Sequence, residues 1–165
     1  MYDLLNDRHR DFETVYLKHP DWLLCEDKHP GNDIRYLVMF KDMHLHTIRN
    51  LTFQNLPMLH EMKKMCNAFL DQKHGSEKWF MYFNYSPSVM QLHLHITKTM
   101  QFSAGRSQPL NCVMMNLKRD GEYYKNALIL LSKTSRTSRT SRTSRAENRV
   151  NNKTNGCLQR VVSNV

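Results

Sequence analysis

Two histidines at alternate positions, His93 and His95, sit in a stretch from 90 to 98 that alternates apolar and polar residues. Met90, Leu92, Leu94 and Ile96 fall in one register, and Gln91, His93, His95 and Thr97 in the other. A period of two is that of a β-strand, so both imidazoles project from one face while the Leu face is buried. Neutral imidazole can attack the phosphorus of a phosphoanhydride, and a second imidazole or a backbone carbonyl can orient its ring. Ser86 and Ser88 offer hydroxyls just ahead of the strand, suited to a phosphate oxygen or a leaving group. The same spacing suits a zinc pair, with His44 or His46 as a third ligand. It also suits a sheet face that is merely polar and open to solvent. The residues alone leave all three readings standing.

The elements that must position this pair can be read from pattern. Short strands are predicted at 22–25, which is apolar, at 35–40, rich in Tyr, Val and Phe, and at 78–85, which is aromatic, besides the 90–98 strand. His29 to Asp33 has the composition of a turn. A helix is predicted over 54–70, where Leu56, Leu59, Met62, Cys66 and Phe69 recur at helical spacing. Thr52 can cap it and Pro57 fits its first turn. Residues 2–16 read as a short amphipathic helix or an extended lead-in, and 123–131 as a strand or a helix.

At these residues the chain resembles the histidine triad (HIT) superfamily of nucleotidyl hydrolases and transferases, whose motif sets His residues at alternate strand positions. Asn84-Tyr85-Ser86-Pro87-Ser88, followed by Leu92-His93-Leu94-His95, is similar to the site of its scavenger mRNA decapping branch. Arg49-Asn50-Leu51-Thr52 upstream, and Val113 to Leu117 with Asp120, Tyr123, Tyr124 and Leu128 downstream, extend the likeness over about residues 2–131.

The resemblance implies an α+β HIT-like fold: about five antiparallel strands with one long helix packed on a face. It implies a pyrophosphatase that cleaves 7-methylguanosine cap dinucleotides or short capped RNA. His93 would be the nucleophile, forming a covalent nucleotidyl intermediate. His95, Gln91 and Ser88 would shape the phosphate site, and Asn84 would lie near the phosphates. Asp27, Lys28 and His29 would meet the cap. Gln91 stands where the family has its first His; it can donate a hydrogen bond but cannot exchange a proton at neutral pH. No metal or other cofactor is expected, and a homodimer is. Two further expectations remain: a HIT hydrolase of dinucleoside polyphosphates or nucleotide adducts, and a catalytically weak nucleotide- or RNA-binding domain.

Composition bounds these readings. At 165 residues with 40% hydrophobic content, the chain can fill one core, residues 1–131, of which 1–20 form the lead-in. No apolar run approaches the ~20 residues of a membrane span. Four scattered cysteines without a CxxC pair argue against a zinc knuckle or a disulfide scaffold, so reduced thiols inside a cell, cytoplasmic or nuclear, are expected. The net charge of +9 is unevenly spread. Residues 132–165 hold eight of the 24 basic residues and one of the 15 acidic ones, leaving 16 against 14 for the body. That tail contains Thr-Ser-Arg repeated four times from Thr134 to Arg145, which cannot offset the entropy of folding. It is expected to be disordered, and reads either as a solvated repeat without function or as an electrostatic tether to RNA or an acidic partner.

Overall fold

The structure is a computed structural model that describes residues 14–27, 33–87, 89–99 and 106–129. The repeat tail and most of the lead-in lie outside the described residues, as do three of the site candidates, Lys28, His29 and Ser88.

Six strands form one sheet in which every pairing is antiparallel. They are β1 (Val15–Lys18), β2 (Trp22–Glu26), β3 (Arg35–Phe40), β4 (Phe80–Asn84), β5 (His93–Thr97) and β6 (Ser107–Pro109), in the spatial order β1-β2-β3-β5-β4-β6. The fold is α+β as expected, with one strand more than expected. The end of the lead-in is extended as β1, and the short β6 adds to the far edge. The strand expected over 90–98 is shorter, running from His93 to Thr97. Met90 is therefore not part of the buried face; it is 57% exposed.

The long helix α1 (Leu56–His74) packs on one face of the sheet. It starts after a short 3-10 turn, Phe53–Asn55, which has Thr52 as its cap, and Pro57 sits in its first turn. Pro there removes no helical hydrogen bond. Gly75 ends the helix at a φ of 71°, a left-handed value that glycine adopts without strain. Leu59, Met62, Cys66 and Leu70 form its buried stripe. They meet Tyr36, Val38 and Phe40 of β3, Phe83 of β4, and Leu94 and Ile96 of β5. Burial pushes the Cys66 thiol up to about 12, so it serves as a small core hydrophobe.

Two helices follow β6. Helix α2 (Leu110–Arg119) buries Leu110, Val113, Met114 and Leu117, and the short α3 (Tyr123–Asn126) buries Tyr124. The undecided stretch from 123 thus begins as a helix. Arg49, in a 3-10 turn at Ile48–Asn50, ties this end of the chain to the sheet. Its Nε donates to Tyr85 Oη at 2.7 Å, and one Nη donates to the carbonyls of Tyr124 (2.8 Å) and Ala127 (2.9 Å). Those carbonyls lie at the C-terminal end of α3, where a helix leaves its last carbonyls in need of partners from outside. Tyr85 directly follows β4, so the same guanidinium steadies the connection leading toward β5. Replacing Arg49 by Met should lower stability by about 1.5–3 kcal/mol in urea denaturation, the range for hydrogen bonds to a charged group. Arg49→Lys should recover only part of it, because an ammonium lacks the planar fork.

Candidate functional site

The face of the sheet opposite α1 has three rows of side chains, fixed by strand register. In the first, Leu23 pairs with Met39 and Met39 with His93. In the second, Cys25, Leu37, His95, Tyr82 and Pro109 follow one another across β2, β3, β5, β4 and β6. In the third, Arg35 pairs with Thr97 and Thr97 with Phe80. The β2–β3 half of the first two rows is apolar, and the β5–β4 half carries the polar groups. This is not a solvated sheet face: His93 is only 7% exposed and Gln91 1%. The reading of a merely polar surface does not hold for residues so enclosed.

The His93 ring is oriented by main chain. Its Nδ1 lies 2.7 Å from the Gln91 carbonyl oxygen. A carbonyl only accepts, so Nδ1 carries the hydrogen, and in the neutral ring Nε2 carries the lone pair. That carbonyl is itself held. The Gln91 side-chain amide donates to the carbonyls of Phe40 (2.6 Å) and Asp42 (3.0 Å). On either side, His46 Nδ1 donates to the Met90 carbonyl (3.0 Å) and Leu92 N–H to the Leu45 carbonyl (2.7 Å). Residues 40–46 thus strap down the segment before β5. Gln91 is a clamp between two main-chain segments, with both amide hydrogens engaged.

His95 is oriented by side chains. Asn84 Nδ2 donates to His95 Nε2 at 3.0 Å, and Ser107 Oγ donates to Asn84 Oδ1 at 3.2 Å. The neutral His95 ring therefore carries its hydrogen on Nδ1, for which no acceptor is found among the described residues. The ring stacks on Tyr82 at 5.3 Å and meets the His93 ring edge-on at 5.1 Å. Burial, then the neighbouring His93, then the Arg35 guanidinium lower its pKa to about 4. At neutral pH it is an uncharged hydrogen-bond donor whose ring adjoins that of His93.

The structure thus brings His93, His95, Asn84 and Gln91 together. Asp27 follows β2 on the same face, where its N–H donates to the Arg35 carbonyl at 3.0 Å. It stands at the third row, away from His93. His44 and His46 sit at exposed positions on the strap. Among the described residues no three His, Cys, Asp or Glu side chains gather as metal ligands. Three contributors were not singled out from sequence. Tyr82 and Arg35 were readable: alternation along β4 puts Phe80, Tyr82 and Asn84 on one face, and pairing with the His strand puts Arg35 there. Ser107 follows a stretch without strand pattern and gave no signal.

Two predictions test this geometry. In histidine titration by NMR, His95 should stay neutral down to about pH 4. Because its folded pKa lies below the ordinary 6.5, stability should rise as pH climbs from about 4 to 6.5 and level off above. Gln91→Glu would set a carboxylate against two carbonyls. It should strongly destabilise the fold at neutral pH, and the loss relative to wild type should shrink as acid protonates the new group. Paired denaturation curves at pH 7 and pH 5 would show it.

Comparison with known proteins fits this architecture. The family described as "Scavenger mRNA decapping enzyme C-term binding" matches residues 3–109. An m7GpppX diphosphatase from Caenorhabditis elegans is 25% identical over 148 residues, covering 81% of this chain and 47% of the relative. The chain thus spans about half the length of that relative. A HIT family hydrolase from Legionella pneumophila superposes with a TM-score of 0.52 at 19% identity, over 61% of this chain and 92% of the other, a likeness of fold. With the matched region running from the lead-in through the His strand to β6, the chain belongs to the family of the scavenger mRNA decapping enzyme C-terminal domain.

Proposed function

We propose that the chain hydrolyses the phosphoanhydride of cap-type dinucleotides, or of short capped RNA, through a covalent intermediate on His93. The observation that carries this is the hydrogen bond from His93 Nδ1 to the Gln91 carbonyl, which leaves Nε2 as the lone-pair nitrogen. The family relation and the name of the Caenorhabditis elegans relative support a capping guanosine, methylated at N7, as the nucleotide transferred.

His93 Nε2 attacks the phosphorus next to the capping guanosine. The N–P bond forms as the bond from that phosphorus to the bridging oxygen breaks, and the nucleoside diphosphate leaves with the electron pair. Diphosphate is a stable anion at neutral pH, so its departure asks for little proton donation. His95 Nδ1–H donates to a non-bridging oxygen where charge builds, and the ring, neutral at this pH, serves as a hydrogen-bond donor and not as a general acid. The Gln91 carbonyl keeps the Nδ1–H of His93 in place and stabilises the positive ring that forms. Water then cleaves the N–P bond and releases the guanosine monophosphate. Ser88 would add a hydroxyl to the phosphate site. Gln91 acts in this scheme by position, since its amide is spent on Phe40 and Asp42. The basic tail would add an electrostatic hold on longer RNA, and a homodimer remains the proposed assembly.

Hydrolysis of cap dinucleotides by wild type and His93→Ala, in EDTA, tests the proposal. Wild type should turn over, because no step uses a metal, and His93→Ala should lose roughly 10³-fold or more. Turnover that survives in His93→Ala would refute the nucleophile. Cleavage of dinucleoside polyphosphates lacking guanine at equal rate would favour a general nucleotide hydrolase. No turnover of any of them would leave a binding role.

A further inference from the structure

In the reading above, on which this inference rests, His95 must present an N–H to the phosphate. A neutral imidazole has one hydrogen and two nitrogens to hold it. Burial, His93 and Arg35 keep the ring neutral, so a single hydrogen has to be placed. On Nδ1 it is available to a phosphate oxygen. On Nε2 it would meet Asn84 and leave a lone pair on Nδ1, acceptor against acceptor. The Asn84 amide could serve either tautomer. Its nitrogen donates to a bare Nε2, and its oxygen accepts from Nε2–H, so turning the amide over would reverse the ring.

What decides between them lies on the edge strand. Ser107 pairs with Asn84 in the β4–β6 register. Just beyond that pair, Tyr85 N–H donates to the Arg106 carbonyl at 2.6 Å, so β6 is held against β4 at this point. At the other end of β6 the chain enters α2 through the buried Leu110. Ser107 itself is 8% exposed. Its hydroxyl hydrogen has one acceptor among the described residues, Asn84 Oδ1 at 3.2 Å. In this arrangement Ser107 Oγ–H, Asn84 Oδ1, Asn84 Nδ2 and His95 Nε2 each have a partner, and the group left open is His95 Nδ1–H. With the amide turned over, Nδ2 would donate to Ser107 Oγ, and the hydroxyl hydrogen would be buried without an acceptor. A buried donor is costly to leave unpartnered. The choice open to the amide is thus removed by a side chain whose hydrogen bond is to the amide and not to the ring.

We infer that Ser107 is a positioning residue for hydrolysis: its hydroxyl fixes the direction of the Asn84 amide and so keeps the hydrogen of His95 on Nδ1. Without it the amide can turn, and a share of the molecules would offer the phosphate a lone pair in place of a donor.

Nitrogen NMR of the full chain with isotope-labelled histidine reads the tautomer directly, at neutral pH and without substrate. Wild type should show the His95 hydrogen on Nδ1. In Ser107→Ala a population with the hydrogen on Nε2 should appear, and Ser107→Thr, which keeps the hydroxyl, should restore the wild-type state. Turnover of a cap dinucleotide should follow the same order. In Ser107→Ala kcat should fall about tenfold with KM little changed, the effect of losing roughly one hydrogen bond, and Ser107→Thr should recover it. Because Ser107 acts through the amide, Ser107→Ala should have no further effect on kcat once Asn84 is replaced by Ala. A purely structural loss would lower the melting temperature without moving the ring hydrogen. If no substrate turns over but the tautomer follows Ser107, hydrolysis falls and the hold of Ser107 on His95 stands. A wild-type His95 with its hydrogen on Nε2, a tautomer unmoved by Ser107→Ala, or an undiminished effect of Ser107→Ala beside Asn84→Ala would overturn the inference.

Discussion

The site depends on one short hydrogen bond, from the His93 ring to the carbonyl two residues before it in the chain. On a regular strand that carbonyl would belong to the ladder. Here the strand starts only at His93, so the Gln91 carbonyl is available to a side chain. The strap at residues 40–46 keeps it in place by taking up its neighbours: the Met90 carbonyl, the Leu92 N–H and the Gln91 amide. A buried polar cluster of this kind is rigid when its groups are partnered, and a partnered orienting group fixes a tautomer better than a mobile one. One atom of the cluster, Gln91 Oε1, is buried without a partner among the described residues.

The rest of the architecture serves that bond and its neighbour. The helix face of the sheet supplies the packing, with α1 set over Leu94 and Ile96 of the strand that carries the histidines. Packing on one face leaves the other free for polar work, and β5 has a strand on each side, so register places β3 and β4 residues next to each imidazole. The two histidines are held by different means. Main chain fixes His93, while the Ser107–Asn84 relay and the Tyr82 ring fix His95. The first arrangement leaves an available lone pair and the second an available N–H. Attack on a phosphorus bearing negative oxygens uses one of each.

Much of this was legible before any coordinates. Period-two alternation put His93 and His95 on one face, and the spacing of Leu59, Met62 and Cys66 gave the helix that covers the other. The side-chain role of Gln91 was not legible. Its type allows donation to a substrate, and only the fold shows the Phe40 and Asp42 carbonyls taking both hydrogens. Helix α2 has its own signal in the helical spacing of Leu110, Val113, Met114 and Leu117, which the family likeness over Val113 to Leu117 does not by itself reveal. The extent of enclosure was also hidden. Alternation shows which residues share a face, whereas burial of that face depends on chain distant in sequence. Asp27 shows a further limit. Its position on the His face follows from β2 register, but its distance from His93 and its closeness to Arg35 do not follow from a motif.

The central claim is that Nε2 of His93 becomes bonded to phosphorus. Rapid quenching of wild-type protein with a cap dinucleotide, followed by mass spectrometry of its peptides, tests it most directly. The account predicts a guanosine monophosphate adduct on His93 that appears and decays within the turnover time. Turnover with the adduct on another residue, or with no adduct when the quench is faster than turnover, would contradict it.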